Sequence, residues 1–471
     1  MKRTLIQSLF FLILCTVNSS YVLADIKLAG IFSDNTVLQQ QSNVAIWGNA
    51  NNSSKVTVTT SWNKKSYTTT ASQDGSWIIK IATPKAGGPY GLTISDGKTI
   101  TLNNVLIGEV WVCSGQSNME MPMKGFRNQP ILNSAEDIAM ADNAQIHLFT
   151  VKKNTSLTPL SALNGTWVEC NSESVTGFSA TAYYYGLMLN RKLKVPIGLI
   201  SSSWGGTLIE PWISEMGIKN FDWVKLPEKK PGEKLSQQTP TVLFNAMINP
   251  LVGYGIRGVI WYQGESNRDD PIGYEKLLPG LIQNWRNLWG IGDFPFYYMQ
   301  IAPYNVRKVG LNSAYLREAQ LKVSGTLPNI GMASIMDIGE EFNVHPANKK
   351  IGSQRLALLA LEKTYGIKGI QSGSPILKDI KIVDSIATLT FDNAPNGLTS
   401  YNKKLENFEI AGKDRKFYPA EAFITKNGID VSSSMVKVPV AVRYAFKDFV
   451  IGDLFGLNGN PVSSFRTDDW K

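Results

Sequence analysis

The spacing of apolar positions changes twice along this chain. Over residues 25–105, apolar and polar residues alternate in short runs, with strand candidates at 44–47, 55–59 and 76–80. Asn51 to Ser54, Gln73-Asp74-Gly75 and Ala86-Gly87-Gly88-Pro89 separate these runs as turns. Helical periods are missing, which predicts a small N-terminal β-sandwich.

Over 106–368, short apolar runs alternate with amphipathic stretches. Strands are expected at 110–113, 144–149, 197–200, 256–262, 296–301 and 331–336, and helices at 179–194, 274–288, 314–324 and 346–365. In the first helix Ala180, Tyr183, Tyr184, Leu187 and Met188 share one face. Pro279-Gly280 is a potential break or kink in the second. Pro346 suits the first position of the last, where its missing N–H costs nothing. Strands separated by helices imply a parallel sheet covered on both faces. From 369 to 471 the pattern returns to β, with strands at 380–383, 386–391 and 436–446, the last interrupted by Pro439. This reads as a second β module, a candidate to pack against the first. Residues 226–238 are polar and rich in Lys and Pro, as in a surface loop.

A chain of 471 residues implies more than one domain. With 43% hydrophobic and 18% charged residues it has ample material for a core. The first 24 residues differ from the rest: Lys2 and Arg3, an apolar run at 9–17, and Val22-Leu23-Ala24 resemble a cleaved signal peptide. A secreted or periplasmic location follows. The run is too short to span a bilayer comfortably. Cys15 follows a large residue, so lipid anchoring is the lesser alternative. The net charge of +9 becomes +7 without Lys2 and Arg3. Scattered basic residues argue against nucleic acid and leave acidic partners such as anionic sugars open. The 12 Trp and 17 Tyr could form platforms for sugars, but core packing accounts for them equally well. After cleavage two cysteines remain, Cys113 and Cys170; an oxidising compartment permits their pairing, which the sequence leaves open. Two cysteines and two histidines leave little room for a structural zinc site, and no metal or cofactor is implied.

The chemistry centres on the stretch from Gly108 to Met123. Val110 to Cys113 read as a strand that breaks at Gly115 and presents Ser117 just past its end. In an open α/β sheet that edge is where ligands bind. A hydroxyl there, beside a backbone N–H, can attack a carbonyl and hold the resulting oxyanion. Ser-Gly-X-Ser-Asn is also an ordinary turn composition, and Met119 rules out a Gly-X-Ser-X-Gly elbow. A base is required, and the chain has only His147 and His345. His147 lies within a strand and reads as a half-exposed residue without a role. His345 falls in a loop at the same sheet edge as Ser117, where its alternative is to cap the following helix. Ser201 to Thr207 and Trp261 to Asn267 follow two further strands; they offer glycine N–H groups and the Gln263 amide.

Four ordered blocks carry a resemblance: Cys113-Ser114-Gly115-Gln116-Ser117-Asn118-Met119, Ser203-Trp204-Gly205-Gly206-Thr207, Trp261-Tyr262-Gln263-Gly264-Glu265-Ser266-Asn267 and Val344-His345-Pro346-X-Asn348-Lys349. Together they resemble the sialate O-acetylesterase family of SGNH-type hydrolases over nearly the whole mature chain. The resemblance implies a flavodoxin-like catalytic sheet and hydrolysis of acetyl esters on carbohydrate. It also implies Ser117 as nucleophile, His345 as general base, and an oxyanion hole of the Ser117 N–H, Gly205 and the Gln263 side chain. Gln116, Asn118 and Glu265 are candidate substrate contacts, with a structural role for Glu265 as the alternative. The wider SGNH pattern has an Asp three residues before the histidine, where this chain has Phe342. Asp337, Glu340, Glu341 and Asn343 are the substitutes at hand, and Glu340 is the choice among them; a dyad without an acid is the alternative. The expected substrate is O-acetylated sialic acid. Xylan or pectin acetyl esters remain open, as does a non-catalytic carbohydrate-binding protein.

Overall fold

The computed structural model describes residues 26–228, 235–305 and 311–470. The proposed signal peptide and part of the 226–238 loop lie outside the described residues. Among the described residues no helix is long and apolar enough to cross a membrane.

The fold is α/β with additional β-rich regions at both ends. Six parallel strands form its centre: β1 (Thr99–Gly115), β2 (Asn143–Thr150), β3 (Ile197–Ser203), β4 (Gly258–Tyr262), β5 (Phe296–Met299) and β6 (Ile330–Ala333). They lie in the order β2-β3-β1-β4-β5-β6, with the strand Trp167–Cys170 antiparallel at the β2 edge. The chain builds one side of β1 first and then crosses to the other, so β1 is the point where strand order reverses.

Alternation along each strand sorts its side chains to opposite faces. Val110, Val112, Val259 and Trp261 join one core; Trp111, Cys113, Ile260 and Tyr262 join the other. Both sets are buried, and fully burying a Val side chain contributes about 1.5–3 kcal/mol. A slip of one residue would exchange the two sets, so register is strongly specified. Helices α2 (Ala180–Leu193) and α5 (Lys349–Leu359) cover the second face. Helices α3 (Pro271–Trp289) and α4 (Asn312–Val323) cover the first.

Two helix expectations change. α3 runs continuously through Pro279 instead of breaking there. The last helix starts at Lys349 and not at Pro346, with Asn348 as its cap. The cause is competition for backbone groups: the Ala347 N–H donates to Glu340 Oε1 at 2.6 Å, and its carbonyl accepts from Leu132 at 2.9 Å. Residues before Asn348 are therefore pinned to other loops.

The 17-residue β1 belongs to two layers. Its first half pairs with Gly87–Ser95 of the N-terminal region, and its second half lies between β3 and β4. Ile46, Ile94 and Val105 accordingly share one core with Val112 and Trp261. The C-terminal region has its own core around Leu389, Phe408, Val431 and Tyr444. Its polar contacts run to the central domain. The buried guanidinium of Arg317 donates to Ser464 Oγ at 3.1 Å and to the carbonyl of Lys447, and Arg466 pairs with Glu318 at 2.9 Å.

Cys113 and Cys170 are both free and buried. They stand on strands three steps apart in the sheet, about 14 Å at normal strand spacing, whereas a disulfide needs Cα atoms within about 7 Å. Burial pushes both thiols well above their ordinary range, that of Cys170 to about 12.

Candidate active site

Ser117 opens the short helix α1 (Ser117–Glu120) immediately after β1 ends. Gly115 adopts φ 139°, and a Cβ there would lie 2.1 Å from the carbonyl oxygen of Tyr262. Glycine is therefore required for the strand to turn so sharply against its neighbour. The Gln116 N–H donates to Tyr262 O at 3.0 Å and the Trp204 N–H to Gly115 O at 3.1 Å, fixing the turn to β4 and to the loop after β3. Ser117 is partly exposed, while Gln116 and Asn118 on either side are buried.

Gly205 packs directly on the serine: a Cβ there would stand 3.2 Å from Ser117 Cβ. Its N–H is not open, because it donates to Glu120 Oε2 at 2.5 Å, while Glu120 Oε1 holds Lys153 at 2.6 Å. A cavity of about 260 Å³ adjoins this pair, lined by Glu120, Phe126, Lys153, Ser179, Ser201 and Ser203.

The Gln263 assignment is corrected by its hydrogen bonds. The side chain is fully buried, and Nε2 donates to Thr207 O at 3.0 Å and to Asn267 Oδ1 at 2.7 Å. Both N–H groups are committed to bracing loops, and Oε1 is buried with no partner. The amide thus has no free donor for an oxyanion.

The three substrate candidates are also interior. Gln116 Oε1 accepts the N–H groups of Gly264 and Ser266 at 3.4 and 3.3 Å. Asn118 Nδ2 donates to Glu265 Oε1 at 2.5 Å and to Val344 O at 2.9 Å, and Asn118 Oδ1 accepts from the buried ammonium of Lys349. Asn118 therefore bridges a buried carboxylate and a buried ammonium, and joins the serine turn to the residue before His345. Burial raises the Glu265 carboxyl above its ordinary range and lowers the Lys349 ammonium to about 7. Glu265 fits the structural alternative.

His345 lies on the long loop between β6 and α5. β6 is separated from β1 by β4 and β5, so this loop has to reach back across the sheet edge. Asn343 holds its main chain: Oδ1 accepts the His345 N–H at 3.0 Å and Nδ2 donates to His345 O at 2.8 Å. Glu340 does not meet the ring; its two oxygens accept from Ala347 N and from Asn343 Nδ2. Asp337 is bound to Arg355 by two contacts of 2.7 Å. The atom at His345 Nδ1 is instead Gln129 Oε1, at 2.6 Å. Burial first, then the charge of Lys349, lower the imidazole to about 4. Gln129 went unremarked because it belongs to no motif; Glu120, inside the stretch from Gly108 to Met123, and Lys349, inside the last block, stood there without a role.

His147 is not half-exposed. It is fully buried, with Nδ1 2.6 Å from the carbonyl oxygen of Asn35, far along the strand from the sheet edge.

Ser117, Gly205 and His345 thus follow the C-terminal ends of β1, β3 and β6, and the serine stands at the strand where the order reverses. Open α/β sheets bind ligands at that edge and that reversal. The molecule falls in the class of α/β enzymes with a switch-point site. A family model described as carbohydrate esterase, sialic acid-specific acetylesterase matches residues 107–358. The chain belongs to this family. Sialate O-acetylesterase of Mus musculus is 29% identical over 491 residues, spanning 89% of each chain. The Homo sapiens sialate O-acetylesterase is 28% identical, over 83% of this chain and 79% of that protein. A carbohydrate acetylesterase of known structure from Xanthomonas citri superposes with a TM-score of 0.87 at 32% identity, covering 94% of this chain and all (100%) of that one.

Proposed function

We propose that this protein is a serine esterase that removes O-acetyl groups from carbohydrate, with O-acetylated sialic acid as its substrate. The observation that carries the reading is the turn at Ser117. The turn sets a partly exposed serine at the switch-point strand against Gly205, and Asn118 ties it to the His345 loop. The five strands β3-β1-β4-β5-β6 follow the 2-1-3-4-5 order of flavodoxin-like sheets, which supports an SGNH-type catalytic domain. The N-terminal basic and apolar segment supports a secreted or periplasmic location.

The chemistry is acyl transfer in two steps. His345 Nε2 takes the Ser117 proton as Oγ bonds to the acetyl carbon. The carbonyl oxygen becomes an oxyanion beside the Ser117 N–H; the Gly205 N–H joins it once Glu120 gives way. The carbon–oxygen bond to the sugar breaks, and the sugar alcohol leaves with the proton from His345. Water then attacks acetyl-Ser117 as His345 accepts its proton; the bond between the acyl carbon and Oγ breaks, His345 returns the proton to Oγ, and acetate leaves the free serine.

Acetate release from O-acetylated sialic acid and from acetylated xylan, measured side by side, tests the reading. Ser117→Ala is expected to lower kcat by about 10⁴–10⁶-fold without loss of fold. Release from xylan alone would keep the mechanism and replace the substrate. Full activity in folded Ser117→Ala would remove the serine from the mechanism.

A further inference from the structure

His345 needs an acceptor at Nδ1 if Nε2 is to act as a base, and of the three acidic residues of its own loop two are engaged elsewhere and the third, Glu341, is exposed. Asp337 is taken by Arg355, and Glu340 by the Ala347 N–H and Asn343. We propose that Gln129 is a positioning residue: its amide oxygen accepts the Nδ1–H of His345 and takes the place of the acidic third member of a triad. The inference rests on the serine-esterase reading and deepens it.

The contact is built from the backbone upward. Phe126 and Gln129 exchange two main-chain hydrogen bonds of 3.0 Å, with Asn128 at φ 61° between them. Gly125 precedes this turn at φ 77°, and a Cβ there would lie 2.4 Å from Gln129 O. Two residues before Gln129 Arg127 is exposed; the Phe126 ring meets the His345 ring edge-on at 5.4 Å. Leu132 then donates its N–H to Ala347 O at 2.9 Å, so the turn and the histidine loop are tied on both sides of the Gln129–His345 contact. The amide is delivered by a closed turn and not by a free side chain.

An amide oxygen and a carboxylate fix the same tautomer, but only the carboxylate adds a negative charge beside the imidazolium that forms during attack. The charge that acts on His345 is that of Lys349 on α5, which Glu265 and Glu340 face in turn; Gln129 and Phe126 meet the ring from the opposite loop. Burial first, and then the ammonium unopposed by a carboxylate at Nδ1, keep the base neutral into acid. The acid limb of the rate profile should therefore fall near pH 4, where the imidazole titrates, and not near the ordinary histidine value.

The test uses the full-length mature protein with 4-nitrophenyl acetate, across pH, for Gln129→Leu and Gln129→Glu, with circular dichroism as the check on folding. Gln129→Leu keeps the bulk and removes the acceptor; kcat should fall about 10–100-fold with little change in KM. Gln129→Glu, when ionised, can only accept. It should keep at least about a tenth of wild-type kcat and move the acid limb up by about 1–2 pH units. A kcat within about twofold of wild type in Gln129→Leu would overturn the proposal, as would an unmoved acid limb in Gln129→Glu. A folded Gln129→Glu as slow as Gln129→Leu would also overturn it, since Gln129 would then be donating and not accepting. Each of these leaves the esterase reading standing, which fails separately if folded Ser117→Ala remains active.

Discussion

The two histidines occupy similar settings and have different prospects. Each is pulled below its ordinary pKa by burial, and each has an oxygen 2.6 Å from Nδ1. At His147 that oxygen is the main-chain carbonyl of Asn35, and Nε2 is enclosed without a partner. The ring sits inside β2, where it joins the N-terminal region to the central sheet. At His345 the oxygen belongs to a side chain on a neighbouring loop, and the ring is partly exposed at the edge that carries Ser117. Nδ1 chemistry is common to both; access at Nε2 separates a structural ring from a base. A depressed pKa alone does not mark a functional histidine here.

Substitution at the two rings should break that symmetry. His345→Ala is expected to lower kcat by about 10²–10⁴-fold while the fold persists, because a general base is lost. Steady-state kinetics on the acetylated substrate reads this directly, and wild-type kcat would move the base elsewhere. Lys349 is the next largest expectation. Lys349→Met removes the ammonium facing Asn118 and one of the two cations that favour the buried Glu265 carboxylate, at a cost of about 3–5 kcal/mol. Urea denaturation measures it, and adding Glu265→Gln should recover part of the loss; no recovery would mean the two charges are not coupled. His147→Ala has the smallest effect on turnover. It should leave kcat unchanged and lower stability by about 1–3 kcal/mol, since a partly buried carbonyl loses its donor. A large fall in kcat without unfolding would make His147 the functional ring.

The network around Asn118 shows how a motif residue can hold neighbouring loops together from the interior. Ser117 is surrounded by polar residues that sequence alone presents as equals. Gln116, Asn118, Gln263 and Glu265 all turn inward and bond to neighbouring loops, leaving Gln263 Oε1 and Glu265 Oε2 buried without a partner. The outward-facing set is smaller: Ser117, His345, Gln129 and the Glu120–Lys153 pair beside the cavity.

Period and punctuation in the chain determined much on their own. Alternating β residues, apolar runs and helical spacing marked most elements, because side-chain direction repeats every two or 3.6 residues whatever the partner. Gly115 after an apolar strand marked the turn at Ser117, and the scarcity of histidine narrowed the base to two. Tertiary structure alone decided which polar groups were still free. Gln129 meets His345 from 216 residues away, Glu120 covers the Gly205 N–H, and Gln263 spends both its donors on Thr207 and Asn267. A sequence names donors and acceptors, but a hydrogen bond requires them within about 3 Å and aligned. That condition is met only after distant loops have been brought to the same edge of the sheet.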